Sequence, residues 1–187
     1  ALAPFFQRHG VTRVVEAWGD DKLPLSEPNA KIGNLAYNPS GQGYPRASAS
    51  YTSRFDRVEE ANDGKSFFSA NSRNRWTSYE SKNPTDWVEI DFGEEKSFDT
   101  VLLHLFGDEG GVQRPESYEI QYWDGSAWRL VENARKSPTV PVAGAMNTVA
   151  FRPVRASRVR VVLTPRPGGS VGLTEIEVWE KAILERG

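Results

Sequence analysis

Asp86-Trp87-Val88-Glu89-Ile90-Asp91-Phe92-Gly93 alternates strictly. Val88, Ile90 and Phe92 fall on one face of an extended chain, and Trp87, Glu89 and Asp91 fall on the other. The spacing predicts a strand with one face against a core. Upstream, Glu59-Glu60-Ala61-Asn62-Asp63-Gly64 has the chemistry of a tight turn. Asp63 can accept a hydrogen bond from the backbone that follows it, and Gly64 can take positive φ. Between turn and strand runs a polar, aromatic-rich excursion, Lys65 to Arg75, which closes on Trp76-Thr77-Ser78. A loop held between a turn and a buried strand is a usual seat of binding chemistry.

From Asn34 onward the same logic predicts an all-β chain. Arg46 to Tyr51 reads as a strand, and Phe98 to Phe106, apolar on both faces, as one central to its sheet. Tyr118, Ile120 and Tyr122 alternate with polar neighbours, and Asp124-Gly125 turns the chain back into Trp128 and Leu130. Val149 and Phe151 begin a further strand, Val159, Val161 and Leu163 mark the next, and Leu173 to Trp179 closes the sheet. Residues 132–146 read as loop with one irregular turn. Long loops are expected at 38–45, 107–115 and 165–170. Many short strands between turn clusters predict a β-sandwich.

With 187 residues and no second compositional regime, the chain is expected to hold one domain plus tails. Residues 1–30 read as an N-terminal arm or linker remnant, 31–180 as the sandwich and 181–187 as a C-terminal tail. In the arm, Val11, Val14, Val15, Ala17 and Trp18 suggest one short apolar-faced element. The absence of cysteine excludes thiol catalysis and a disulfide framework. A net charge of −2, from 23 basic and 25 acidic residues well mixed, argues against nucleic acid or anionic membrane as a partner. No apolar run reaches the roughly 18 residues of a membrane span.

Catalysis is not expected. His9 lies in the arm, and His104 sits mid-strand in an apolar run. Asp108-Glu109 could mimic a glycosidase couple, yet neighbours on one loop rarely hold the required carboxyl separation of about 5–9 Å.

Several pieces in order are similar to one family: Asn34-Leu35-Ala36, Ala47-Ser48-Ala49-Ser50, the Asp63-Gly64 turn, Trp76-Thr77-Ser78, Asp86-Trp87 through Asp91-Phe92-Gly93, Pro115 through Ile120, Asp124-Gly125 with Trp128, and Thr174 through Val178. Together they resemble the discoidin or factor V/VIII type C domains, in the style of the family 32 carbohydrate-binding modules of bacterial glycan-degrading enzymes. The resemblance implies a galactose-binding-like jelly roll with Trp76, Trp87 and Trp128 as scaffold. It also implies a structural calcium, held by Asp63, Glu175 and backbone oxygens from about Ala61 to Ser66 and at Thr174. Here the chain departs from the pattern. Its Asp63-to-Trp76 spacing is long, and Asn74 stands where the family places a Ser or Thr ligand. For a sugar, which wants an aromatic face and planar polar groups, the candidates are Tyr44, Arg54, Phe55, Arg73, Arg75, Phe106, Gln113 and Arg114.

The expectation is therefore a non-catalytic carbohydrate-binding module, an accessory to a catalytic domain in a secreted or periplasmic bacterial enzyme. The alternative is a structural or protein-interaction sandwich that buttresses such a domain without binding sugar. A phospholipid-binding discoidin domain ranks below both, because the loops offer Gly, Asp, Glu and Gln rather than apolar spikes.

Overall fold

A computed structural model describes residues 33–69, 71 and 73–180. The expected 1–30 arm with His9 and the 181–187 tail lie outside the described residues. Eight strands follow in chain order: β1 Arg46–Ala49, β2 Trp76–Thr77, β3 Asp86–Phe106, β4 Ser117–Trp123, β5 Trp128–Leu130, β6 Arg135–Ser137, β7 Ala145–Thr164 and β8 Gly172–Trp179. One 3₁₀ turn, Val58–Ala61, precedes the Asp63 turn. Among the described residues no helix is long and apolar enough to cross a membrane.

The fold is a β-sandwich built around β3 and β7. These pair antiparallel from Asp86 opposite Leu163 to Leu105 opposite Ala145, with register breaks between Asp91 and Lys96 and between Phe98 and Thr100. The breaks let each strand bend from one layer into the other. Before them the order is β1-β3-β7-β4-β5. After them it is β2-β8-β3-β7-β6. Inward side chains of both layers share one core, with Val88, Ile90, Tyr118, Ile120, Val159 and Val161 from the first and Val101, Leu103, Leu105, Val149, Ile176 and Val178 from the second. At the bend Gly93 takes φ +75°, and a Cβ there would lie 2.6 Å from the Tyr44 ring.

The structure corrects four expectations. Residues 86–92 and 98–106 form one strand rather than two, as do 149–151 and 159–163. The alternation is interrupted at Gly93-Glu94-Glu95, which are exposed where β3 leaves the first layer, so the pattern fails while the backbone stays extended. Arg135–Ser137 pairs with β7 although it carries no apolar alternation, and Lys136 lies over the Tyr118 ring, 4.4 Å from its centroid. Trp87 and Trp128 are half-buried on the outer face rather than in the core, with the Arg160 guanidinium 5.8 Å and 4.2 Å from their ring centroids.

Trp76 is scaffold as expected: it is fully buried and its indole N–H donates to the Tyr51 carbonyl at 2.9 Å. Trp76→Ala should therefore destabilise the domain by about 3–5 kcal/mol, read as a lower urea midpoint with an unchanged slope.

Candidate functional site

β3 ends at Phe106 and β8 begins at Gly172, and these two residues pair; Gly172 also pairs with Thr77 of β2. The chain segments leaving these ends are thus delivered to one edge of the sandwich. There they are tied together. Val112 bridges Ser170 in parallel, the Ser170 N–H donates to Gly111 and the Gln113 N–H donates to Ser170. Asp108 accepts N–H groups from Gly110 at 2.8 Å and Val112 at 3.0 Å, which holds the turn of its own loop. The Tyr79 ring lies on Gly111, where an added Cβ would come within 2.8 Å of it. That close approach explains the glycine.

A concavity of about 200 Å³ opens at this edge, lined by Phe55, Asp56, Arg73, Arg75, Tyr79 and Asp108 among others. Phe55 is 45% and Tyr79 37% exposed, with ring centroids 6.4 Å apart. Arg54 and Arg73 place their guanidiniums 4.7 Å and 5.9 Å from the Phe55 centroid. Arg75 is engaged differently. It lies over Phe106, 4.4 Å from the centroid, and its Nε donates to Asp56 at 3.2 Å; the Asp56 side chain is only 3% exposed. Thr77 donates its hydroxyl to the other Asp56 oxygen. Beside it, burial pushes Glu60 above its usual carboxylate range, the N–H it accepts from Arg75 pulls the other way, and the Asp63 charge adds to the rise.

Of the candidates, Phe55, Arg73 and Arg75 meet in this concavity, and Arg54 flanks it, pairing loosely with Glu80 at 3.6 Å. Gln113 and Arg114 line a second cavity beyond Val112. Two candidates are corrected. Phe106 is fully buried, so its ring supports Arg75 and offers no face to a ligand. Tyr44 precedes β1 at the Asp91 end, against Gly93 and Arg46, whereas Phe55 follows β1 beyond its Val88 end. Asp108 and Glu109 line different cavities and form no couple. His104 is held by Glu177 at 3.0 Å and stacked on Phe68, a structural engagement. Sequence reasoning missed Tyr79 and Asp56 as site residues; Tyr79 follows the Trp76-Thr77-Ser78 motif directly, which was the available signal.

The Asp63 turn forms as the residues require. Gly64 takes φ +87°, and the Lys65 N–H donates to Asp63 Oδ1 at 3.0 Å. The same Oδ1 accepts from the Asn74 amide at 3.1 Å, and Oδ2 accepts from the Lys65 ammonium at 2.9 Å. The Asn74 amide nitrogen also approaches the carbonyls of Glu60 and Lys65 at 3.5 Å and 3.4 Å. Glu175, buried on β8, accepts the Gly64 N–H on both oxygens, at 3.1 Å and 2.9 Å. Ala61, Ser66 and Thr174 are buried around the turn, and the Thr174 hydroxyl donates to the His104 carbonyl at 3.4 Å.

A family model described as "F5/8 type C domain" matches residues 46–176. The chain belongs to this family. Its fold is similar to a structure from the beta-galactosidase BgaA of Streptococcus pneumoniae, at 24% identity and a TM-score of 0.72, covering 78% of this chain and 97% of that one. It is also similar to chitosan-binding module 2 of the chitosanase/glucanase from Paenibacillus sp. IK-5, solved with chitotriose, at 26% identity and a TM-score of 0.57, covering 78% and 99%. A family 32 module of C. perfringens NanJ, solved with galactose, is 18% identical with a TM-score of 0.52, covering 71% and 90%. This F5/8 type C chain therefore has the fold of carbohydrate-binding modules.

Arg75 and Arg73 should separate cleanly in stability. Arg75→Ala strands the buried Asp56 carboxylate and should cost about 3 kcal/mol, whereas Arg73→Ala, at an exposed side chain, should stay within about 0.5 kcal/mol; chemical denaturation of both variants checks this.

Proposed function

We propose that this F5/8 type C chain is a non-catalytic carbohydrate-binding module whose sugar rests on Phe55 and Tyr79 at the loop edge. The observation that carries this is an exposed aromatic pair next to a guanidinium with nothing else to do. Arg73 makes no hydrogen bond or ion pair with any described residue, and its guanidinium lies 5.9 Å from the Phe55 centroid. A pyranose presents an apolar C–H face to an aromatic ring and equatorial hydroxyls to its edge, which a planar guanidinium reads in pairs. Asp108 adds an acceptor at the rim. Arg75 is the brace that keeps this edge in place rather than a hand for the ligand.

The 26%-identical module bound to chitotriose supports chito-oligosaccharides as the first class to test, with galactose-terminated glycans next. As an accessory to a catalytic domain in the same exported bacterial chain, the module would raise that domain's local concentration on a polysaccharide. A single small site on an open concavity buries little area, so monovalent affinity is expected in the weak range. Calorimetric titration with chitotriose and with lactose should show binding to one of them. Phe55→Ala and Arg73→Ala should each weaken it tenfold or more without lowering Tm. Tight folding with no binding to either series would instead favour the buttressing module.

The Asp63 turn is read here as a brace closed by protein nitrogens. Calcium takes six to eight oxygen ligands, and the groups aimed at Asp63 are the Lys65 ammonium, the Lys65 N–H and the Asn74 amide nitrogen. With the Asn74 amide turned nitrogen-first, the Asp63 carboxylate is satisfied by nitrogens rather than shared with an ion, and this arrangement supports the brace. Excess EDTA should leave Tm unchanged. Lys65→Ala should lower stability by about 1 kcal/mol, and a Tm that fell with chelator and recovered with calcium would restore the metal.

A further inference from the structure

We infer that the module grips a glycan along its length, with a second subsite in the cavity lined by Arg114, Gln113, Arg166, Phe68, Val140 and Val142. The inference rests on the platform reading above and extends it. This cavity holds about 710 Å³, within the range of roughly 300–1,000 Å³ that small-molecule sites occupy. Val112 lines both cavities, so the two are neighbours across the Gly107–Val112 segment of one loop. That loop is held by the Val112–Ser170 bridge and by Asp108, which keeps the dividing wall fixed.

The chemistry of the second cavity repeats that of the first. Arg114 is half-buried, yet its guanidinium has no hydrogen bond or ion pair with any described residue. A guanidinium on a half-buried residue with no protein acceptor keeps its donors for a ligand rich in hydroxyls. Arg166 is paired only at 3.8 Å with the exposed Glu116 and can turn to a ligand at small cost. Gln113 is already tethered, donating to the Gly110 carbonyl at 3.2 Å, and so offers its position rather than its reach. In the same lining, Val140 and Val142 are 59% and 42% exposed. Aliphatic side chains exposed beside an unpaired guanidinium suit the two-sided character of a pyranose, apolar on its face and polar at its rim.

Continuity selects the occupant. A ligand on Phe55 and Tyr79 that extends past Val112 enters this cavity, so the next units of the same chain are placed against Arg114. The reading assigns mid-chain or multi-unit recognition rather than capture of one terminal sugar.

The test is chain-length dependence on the intact chain, by calorimetry with glucosamine and with chito-oligosaccharides of increasing length. Affinity of the unaltered protein should rise about tenfold from the disaccharide to the tetrasaccharide. Arg114→Ala should flatten that rise and leave the shortest ligands unaffected, whereas Arg73→Ala should weaken every length alike. Val140→Asp, in the same lining, should reproduce the Arg114→Ala signature, with circular dichroism confirming that both variants fold. Affinity that saturates at the first unit, or Arg114→Ala and Val140→Asp without effect at any length while Arg73→Ala abolishes binding, would overturn the second subsite and leave the platform standing. Absence of binding at every length and in a galactose series would overturn both readings together.

Discussion

The pairing of β3 with β7 is the constraint on which the molecule depends. Each is far longer than the five or six residues usual for a strand, and they stay hydrogen-bonded on both sides of the bend. Because Leu105 is opposite Ala145, the chain leaving β3 and the chain entering β7 meet at the same edge. Phe106 opposite Gly172, and Gly172 opposite Thr77, add the segments before β8 and after β2. The second cavity is built largely from those segments, and the first adds the stretch between β1 and β2 that carries Phe55, Asp56, Arg73 and Arg75. The site is a consequence of where two long strands stop, and a slip of one residue in their register would turn the inward residues outward and scatter the loops.

Charge at this edge is divided between an arginine braced on a buried acid and arginines that are not. Asp56 is enclosed and receives Arg75 and Thr77, with the Phe106 ring beneath the guanidinium. A carboxylate so placed costs desolvation, which is offset only while its partners are present. Arg73 and Arg114, a short way off, carry the same cationic group without such engagement. An arginine committed to a buried acid has little left to offer a weak, neutral ligand, since breaking the pair would cost more than sugar hydroxyls return. An arginine without such a commitment keeps its donors for solvent or a ligand.

The alternating stretches made most of the fold legible in the sequence, because burial of one strand face leaves a period of two that needs no tertiary information. Val88, Ile90 and Phe92 are inward as read, and so are Tyr118 and Ile120, and Val159, Val161 and Leu163. The pattern failed where strands cross between layers, since the exposed Gly93-Glu94-Glu95 looks like a loop and is extended all the same. It failed again at β6, an edge strand whose Lys136 packs through its stem and ammonium on Tyr118. At the loop edge, residue type nominated Phe55, Arg73 and Arg75, which the fold brings into one concavity, but could not rank them. Whether an arginine is braced or free depends on Asp56, which is distant in sequence, and whether a phenylalanine is exposed depends on strand ends. Phe106 and Tyr44 show the limit from the other side, one buried beneath the site and one at the far end of β1.

The tryptophans make the same point about motifs. Trp76 is core, but Trp87, Trp123 and Trp128 lie on the outer face of the first layer together with Arg158 and Arg160. Trp123 and Trp128 meet edge to face at 5.6 Å, Arg158 sits 5.3 Å from the Trp123 centroid, and the Arg160 Nε donates to Gln121 at 2.8 Å. This layer is closed enough that burial pushes Arg160 below and Glu89 above their ordinary ranges. Glu89 and Arg160 are opposite each other across β3 and β7, so their attraction partly offsets the cost. A cation between rings gains from each face without needing full burial. The outer face thus braces the first-layer half of β3 and β7, whose Asp86–Leu163 end lies towards the loops.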